Sequence, residues 1–113
     1  MLNVVYIDDE PDFCILFREL FENDDYNIST FIDCTTACKS IFENKPDLIF
    51  IDYRMPKTNG DIVSASIDSK IPKVLITGEL NINPTYPFYR ILHKPYSHDE
   101  VRQILKTFYL KTI

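Results

Sequence analysis

The sequence predicts a single α/β domain built from five strand–helix units around a parallel sheet. Short apolar runs alternate along the chain with segments whose apolar residues recur at helical spacing, which is the pattern of βα units. Four of the apolar runs end directly at a carboxylate, a hydroxyl or an ammonium group. Ligands of open α/β sheets bind beyond the carboxyl ends of the strands, so these side chains predict a site at that edge.

The length and composition of the chain fit one globular domain. Its 113 residues are enough to bury one core, and a hydrophobic content of 45% is ordinary for such a domain. The sequence contains no internal repeat, low-complexity segment or linker. We therefore expect residues 1–113 to form one domain.

The first part of the chain predicts two strands and two helices. Residues 2–7 form a first strand, and Pro11 suits the first position of the helix that follows. The apolar residues of that helix are Phe13, Leu16, Phe17, Leu20 and Phe21. Residues 26–31 form a second, more polar strand, and Asp33 is the N-cap of a second helix. That helix carries Ala37, Cys38, Ile41 and Phe42 and ends at Lys45-Pro46.

Three more strands are predicted at residues 48–52, 73–77 and 90–93. Asn59-Gly60 opens a helix that runs through Ile67. The last helix spans about Ser97 to Tyr109, and its inward positions are Val101, Ile104, Leu105 and Phe108.

The helix between the fourth and fifth strands is expected to be shortened or irregular. Pro84 and Pro87 interrupt this stretch, and an interior proline removes a backbone donor and clashes with the preceding turn. We predict no regular helix of more than about two turns from Leu80 to Tyr89. The aromatic residues there are available as partner anchors or as a cover for the sheet edge, namely Tyr86, Phe88 and Tyr89.

Charge and composition exclude some classes of function. Twelve basic against seventeen acidic residues give a net charge of −5 without a Lys/Arg cluster, so direct nucleic-acid binding is not expected. No apolar stretch is long enough to span a bilayer, and no basic region leads into a secretory core, so we expect a cytoplasmic protein without membrane contact. The cysteines, Cys14, Cys34 and Cys38, are expected to be reduced thiols.

The residues at the strand ends predict a metal and phosphate site. Mg²⁺ prefers hard oxygen ligands, and Asp8, Asp9 and Asp52 supply them. Asp52 is the natural nucleophile, because carboxylates form acyl phosphates. Thr77 adds a hydroxyl where phosphoryl charge collects, and Lys94 is placed to pair with Asp52 or a phosphoryl oxygen.

Each segment taken alone has a simpler interpretation. The acidic stretch before Pro11 would also suit a helix start, where negative charge favours the helix dipole. The residues after Asp52 would also suit a turn, and Lys94-Pro95 a surface turn. The occurrence of all four features at successive strand ends, in the right order, favours the functional interpretation.

In these residues the chain resembles the receiver domains of response regulators in two-component signalling. The matching residues span the chain and comprise Asp8-Asp9, Asp52 within Asp52-x-x-Met55-Pro56-x-x-x-Gly60, Thr77-Gly78 and Lys94-Pro95. The resemblance implies a doubly wound, flavodoxin-like sheet of order 2-1-3-4-5, which places the first, third, fourth and fifth strands side by side.

The resemblance also implies roles for the site residues. Asp52 would take a phosphoryl group from a histidine kinase or phosphotransfer protein, and an output partner protein or domain would read the signal. Asp9 would bind Mg²⁺ directly, together with Asp52 and the backbone carbonyl of Arg54, and Asp8 largely through water. Self-phosphorylation and slow autodephosphorylation would be the only reactions, rather than the activity of an independent enzyme.

For the phosphoryl group, the resemblance implies that Thr77 and Lys94 hold its oxygens and that the Lys94-Pro95 bond is cis. Besides the interrupted helix before the fifth strand, two further features depart from the family. Ile91 stands where the family usually has an aromatic switch residue, and Arg54 and Glu79 stand where family members border the path of attacking water. An alternative hypothesis is therefore a pseudo-receiver, a protein-interaction module that does not switch.

Overall fold

The computed structural model describes all of residues 1–113 and has a five-stranded parallel sheet at its centre. The strands are β1 (Leu2–Ile7), β2 (Tyr26–Phe31), β3 (Leu48–Asp52), β4 (Arg54–Met55), β5 (Thr58–Asn59), β6 (Lys73–Thr77) and β7 (Arg90–His93). The main sheet has the order β2-β1-β3-β6-β7, and β4 and β5 form a separate antiparallel hairpin. The predicted order 2-1-3-4-5 is confirmed, since the hairpin lies outside the sheet.

Four helices flank the sheet: α1 (Pro11–Phe21), α2 (Cys34–Glu43), α3 (Gly60–Ala65) and α4 (His98–Leu110). Local signals set where they begin. Pro11 starts α1 as expected, and the Asp33 side chain caps α2 by accepting from the Thr36 N–H at 2.8 Å. Ser97 and Glu100 form a reciprocal capping box at the start of α4.

The sheet is covered on both faces, so the middle residues of its central strands are apolar and buried. One core contains Tyr6 of β1 and Phe50 of β3, and it packs against α1 and α4. The other contains Ile7 and Ile51 from the same strands, and it packs against α2 and α3. Because successive strand residues point to opposite faces, adjacent residues of one strand enter different cores.

The predicted third helix is shorter than expected, since α3 ends at Ala65 and not at Ile67. Ile67 is nevertheless buried, so the apolar position was identified correctly although the helix bound was wrong. The β4–β5 hairpin was not anticipated, because two-residue strands have no detectable periodicity. The inward positions of the last helix are buried as predicted, namely Val101, Ile104, Leu105 and Phe108.

No helix connects β6 and β7, which confirms the prediction for Leu80 to Tyr89. Residues 80–89 instead form a segment without helix or strand, which we call the strap. Its half-buried residues alternate with exposed ones, so one side of the segment lies against the rest of the domain. They are Ile82, Pro84, Tyr86 and Phe88.

The strap is held by side chains of neighbouring elements. The Asp61 carboxylate accepts from the backbone N–H groups of Thr85 and Tyr86, both at 2.7 Å. The Tyr89 N–H donates to the carbonyl of Lys73 at 2.8 Å.

None of the four helices of the chain has the length and apolar character needed to cross a membrane.

Candidate phosphoacceptor and metal site

The carboxyl ends of β1, β3, β6 and β7 meet at one edge of the sheet and bring the predicted side chains together. Asp52 ends β3, Thr77 ends β6, and Asp8 and Lys94 directly follow β1 and β7. The Lys94 Nζ lies 2.9 Å from Asp52 Oδ1 and 3.6 Å from Asp8 Oδ2. The topology therefore joins residues from four separate segments of the chain.

The three carboxylates form a compact acidic cluster. One oxygen each of Asp8, Asp9 and Asp52 lies within 4.8 Å of the others. Asp8 is fully buried and Asp52 is 7% exposed, whereas Asp9 is half-buried and its carboxylate makes no hydrogen bond or ion pair with the protein. Like charges at this spacing repel one another, and a bound cation relieves that repulsion. Hard oxygen donors with one unengaged carboxylate fit Mg²⁺.

Burial dominates the electrostatics of Asp52. Loss of hydration raises its pKa to about 6; the hydrogen bond from Lys94 opposes this rise and the charge of Asp8 adds to it. For Lys94, burial alone would lower the pKa, but the Asp52 hydrogen bond and the Asp8 charge outweigh it, so the pKa is raised. Lys94 therefore remains an ammonium group beside a carboxylate that is ionised at neutral pH.

Thr77 and Lys94 are linked through their backbones. The Lys94 N–H donates to the Thr77 carbonyl at 2.7 Å, and the Lys94-Pro95 peptide bond is cis, as the resemblance implied. The Thr77 hydroxyl is buried and accepts from the Glu79 N–H at 3.0 Å. Its own proton remains free to be donated into the site.

The loop after Asp52 requires a glycine for packing reasons. A Cβ on Gly60 would lie 2.5 Å from the Asp52 carbonyl oxygen and 2.9 Å from Leu75 Cδ1, closer than real Cβ contacts. The Gly60 N–H also donates to the Tyr53 carbonyl at 2.7 Å. Gly60 thus lets α3 begin directly against the backbone of the phosphoacceptor candidate.

Arg54 lies in the β4–β5 hairpin, two residues beyond Asp52. Its side chain is largely exposed and pairs with Glu79, which lies two residues beyond Thr77. The metal-ligand role expected for its carbonyl stays a prediction.

Two buried polar residues were not identified from the sequence, one in the site and one at the opposite end of β6. The hydroxyl of Tyr6 donates to Asp8 Oδ2 at 3.1 Å. The two-residue spacing could have indicated this contact, because residues two apart along a strand point to the same face. The fully buried Lys73 donates to the carbonyls of Asp68 and Ile71 and to the Tyr86 hydroxyl. A single lysine at the first position of a strand gives no comparable signal.

An apolar groove adjoins the site. It lies between α1 and the loop after Lys94, and its walls are Phe13, Leu16, Phe17, Leu20, Lys94, Pro95, Tyr96 and His98. Three apolar residues of α1 remain exposed there, namely Phe13, Leu16 and Leu20. The Lys94 Nζ lies 4.5 Å from the centre of the Phe13 ring, so the same ammonium belongs to the groove and to the acidic cluster.

Two curated bacterial proteins resemble the chain at low identity. Sporulation initiation phosphotransferase F of Bacillus subtilis is 26% identical over 113 residues, covering 93% of this chain and 91% of that protein. Nitrogen assimilation regulatory protein NtrX of Azorhizobium caulinodans is 27% identical over 110 residues. That match covers 88% of this chain but only 24% of NtrX, so the chain spans about a quarter of its length.

Solved structures with the same fold are receiver domains and response regulators. The receiver domain of the Francisella response regulator 1452 superposes with a TM-score of 0.83 and 22% identity, covering 100% of both chains. Response regulator protein TrrA of Thermotoga maritima, solved in complex with Mg(2+)-BeF, has a TM-score of 0.83 and 24% identity over 96% of this chain and 99% of that one. The family model of the response regulator receiver domain matches residues 4–106. With the strand order and strand-end residues described above, this match shows that the chain belongs to the response regulator receiver domain family.

Proposed function

We propose that this chain is a phosphoacceptor receiver domain, spanning residues 1–113, in which Asp52 takes a phosphoryl group from a histidine kinase or phosphotransfer protein. The observation that carries the proposal is the Asp52 carboxylate itself. It lies nearly buried at a strand end, 2.9 Å from the Lys94 ammonium and within a cluster of two further acids. A purely structural module has no need for such a cluster, because uncompensated buried charge lowers stability.

The proposed reaction is a phosphoryl transfer between side chains. One carboxylate oxygen of Asp52 forms a bond to phosphorus while the bond from phosphorus to the donor imidazole nitrogen breaks. The imidazole leaves with the electron pair. Lys94 and the Thr77 hydroxyl are placed to stabilise the negative phosphoryl oxygens, which is electrostatic catalysis.

Asp9 and Asp52 are the proposed direct ligands of Mg²⁺, with the Arg54 carbonyl beside them and Asp8 acting largely through water. When bound, the cation would neutralise part of the charge on the carboxylates and the phosphoryl oxygens. The unengaged carboxylate of Asp9 supports this assignment, since it alone is half exposed and free of protein partners.

The apolar groove is the proposed docking surface for the phosphohistidine protein. A donor must bring its histidine within bonding distance of Asp52, so it must bury the surface beside the site. Leu16 and Leu20 present exposed apolar side chains there, and Lys94 lines both the groove and the acidic cluster. Exposed apolar patches beside polar residues are typical of protein interaction sites.

We also propose that an output partner reads the phosphorylated state and that the protein acts in the cytoplasm. Three unpaired cysteine thiols are in keeping with a reducing compartment. The strap, and not a regular helix, precedes β7, so the output face that we propose differs in shape from that of a regular receiver domain.

Phosphorylation is tested by incubating the chain with Mg²⁺ and acetyl phosphate and measuring the intact mass. We expect one added phosphoryl group in the wild type and none in Asp52→Asn. Addition to Asp52→Asn at the wild-type rate would exclude Asp52 as the acceptor. No addition to a folded, Mg²⁺-binding wild type would instead favour the pseudo-receiver hypothesis.

Docking is tested with phosphorylated histidine kinases from the source organism. Leu16→Ala with Leu20→Ala should slow transfer from the protein donor but leave phosphorylation by acetyl phosphate unchanged. Ile15→Ala is the matched control, because Ile15 is exposed on α1 but lies outside the groove. Equal transfer rates for the wild type, the double variant and the control would exclude the groove as the docking surface.

A further inference from the structure

The Tyr6 side chain is fixed in the buried part of β1. It is 1% exposed, and its ring stacks on Phe17 of α1 with 4.2 Å between ring centroids. Its phenolic hydroxyl carries one proton that it can donate to a nearby acceptor.

This hydroxyl contacts one specific oxygen of the acidic cluster. Asp8 Oδ1 accepts from the Glu10 N–H at 3.0 Å, and Asp8 Oδ2 accepts from the Tyr6 hydroxyl at 3.1 Å. Both oxygens of Asp8 therefore have a donor, and the plane of the carboxylate is set by two hydrogen bonds from its own segment of chain.

The same contact influences where the Lys94 ammonium lies. Lys94 Nζ is 2.9 Å from Asp52 Oδ1 but 3.6 Å from Asp8 Oδ2, so its short contact is with Asp52. Asp8 Oδ2 is the oxygen that accepts the hydrogen bond from the Tyr6 hydroxyl. Without the Tyr6 hydroxyl, the buried Asp8 Oδ2 would lose its hydrogen-bond donor. Lys94 is the nearest cation that could move closer and donate in its place.

We propose that Tyr6 is a positioning residue of the metal site, whose hydroxyl holds the Asp8 carboxylate toward Asp9 and Asp52. The Lys94 ammonium then keeps its short contact with Asp52. The inference rests on the proposed magnesium site and adds a residue to it. A carboxylate that turns toward Lys94 is neutralised by the ammonium and attracts a cation less strongly. Hydrogen bonds that orient metal-binding groups are known to affect metal affinity in this way.

The test is the variant Tyr6→Phe, which keeps the ring and its stacking on Phe17 but removes the hydroxyl. Mg²⁺ affinity of the full chain is measured by NMR titration of backbone amides in wild type and variant. We expect the dissociation constant to rise by at least about threefold, which is near the lower end of what one hydrogen bond contributes. Tyr26→Phe is the matched control, because Tyr26 begins the neighbouring strand at the opposite edge of the sheet and should leave the constant unchanged.

Repeating the measurement in the Asp8→Asn variant distinguishes a positioning role of Tyr6 from a general effect on stability. In Asp8→Asn, the change Tyr6→Phe should have no further effect on Mg²⁺ affinity, because Tyr6 acts through the Asp8 carboxylate. A lower melting temperature for Tyr6→Phe with an unchanged dissociation constant would overturn the inference. An equal effect of Tyr6→Phe on Mg²⁺ affinity in the wild type and in Asp8→Asn would also overturn the inference.

A wild-type measurement covers the case in which Tyr6→Phe does not fold. The Tyr6 hydroxyl proton should be visible by NMR in slow exchange with solvent and should shift when Mg²⁺ is added. A folded, Mg²⁺-binding wild type without this resonance would overturn the inference. A wild type that binds no Mg²⁺ would contradict the proposed metal site itself, and the inference with it.

Discussion

Arg54, two residues beyond Asp52, and Glu79, two residues beyond Thr77, form an ion pair although 25 residues separate them in the chain. The Arg54 Nε lies 2.7 Å from Glu79 Oε1, and a second guanidinium nitrogen, Nη2, contacts the same oxygen. The two residues follow the ends of neighbouring strands, Asp52 of β3 and Thr77 of β6. The pair is exposed, so it contributes less than about 1 kcal/mol to stability.

The first prediction is that this pair slows loss of the phosphoryl group by obstructing water. Arg54→Ala with Glu79→Ala should speed dephosphorylation several-fold with little change in the free energy of unfolding, since about 1.4 kcal/mol in a barrier is already tenfold in rate. Rates are measured for the wild type, both single variants and the double variant. Lys45→Ala is the control, because it breaks the exposed pair with Asp68 away from the site. Equal rates in all proteins, or strictly additive single effects, would mean that the residues do not act as a gate.

The second prediction concerns Asp52 and pH. The native pKa of Asp52, about 6, lies above the ordinary 3.8, so the folded protein binds this proton more tightly than the unfolded chain. The contribution of this group to stability therefore falls as pH rises through about 6. Without Mg²⁺ at pH 7, Asp52→Asn should be more stable than wild type by about 1–3 kcal/mol. Urea denaturation should show this difference shrinking below pH 5; a difference independent of pH would contradict it.

The third prediction concerns Mg²⁺ and Asp9. A ligand that binds only the native state stabilises it, by about 1.4 kcal/mol at ten times the dissociation constant. Mg²⁺ should therefore raise the melting temperature of the wild type, and Asp9→Ala should lose most of that rise. Asp12→Ala is the control, because Asp12 is a nearby exposed acid outside the cluster. A full Mg²⁺ shift in Asp9→Ala would exclude Asp9 as a ligand.

The fourth prediction is that Gly60→Ala destabilises the protein. Alanine improves helix propensity by up to about 1 kcal/mol, but overpacking against backbone costs about 1–3 kcal/mol. The clash should prevail, because the new Cβ would meet the Asp52 carbonyl oxygen at 2.5 Å. Gly78→Ala is the matched control, since nothing lies within 4 Å of a Cβ there. Thermal denaturation that shows no loss for Gly60→Ala would contradict the packing argument.

The fifth prediction concerns the buried ammonium of Lys73. Its Nζ lies 2.6 Å from the Tyr86 hydroxyl, which links β6 to the strap. Tyr86→Phe leaves a buried charge short of one acceptor and should cost about 1–3 kcal/mol. In a Lys73→Met background the same change should cost much less, since the donor is gone. Tyr89→Phe, at an exposed side chain, should be neutral in the same urea denaturation series; equal costs of Tyr86→Phe with and without Lys73 would contradict the link.

Several features of the protein followed from local sequence signals. Strands β1, β3 and β6 are apolar runs bounded by polar residues, and their limits are those predicted. The starts of α1 and α2 followed from Pro11 and Asp33, because these residues satisfy or replace backbone donors at the first turn. The absence of a helix in the strap followed from two prolines, because a proline in the interior of a helix removes a backbone donor and clashes with the preceding turn. The chemistry at the strand ends was likewise visible, because parallel strands end at a common edge.

Only the tertiary structure decided which side chains are buried and which partners they meet. Helical spacing places Leu16 and Leu20 of α1 on one face, but nothing in the spacing shows that they line an open groove while Phe17 is buried. Likewise, the burial of Lys73 depends on a tyrosine 13 residues later, and the contact of Arg54 with Glu79 depends on the pairing of β3 with β6. Periodicity and capping act within a few residues, whereas these contacts depend on how distant segments pack, which local signals do not encode.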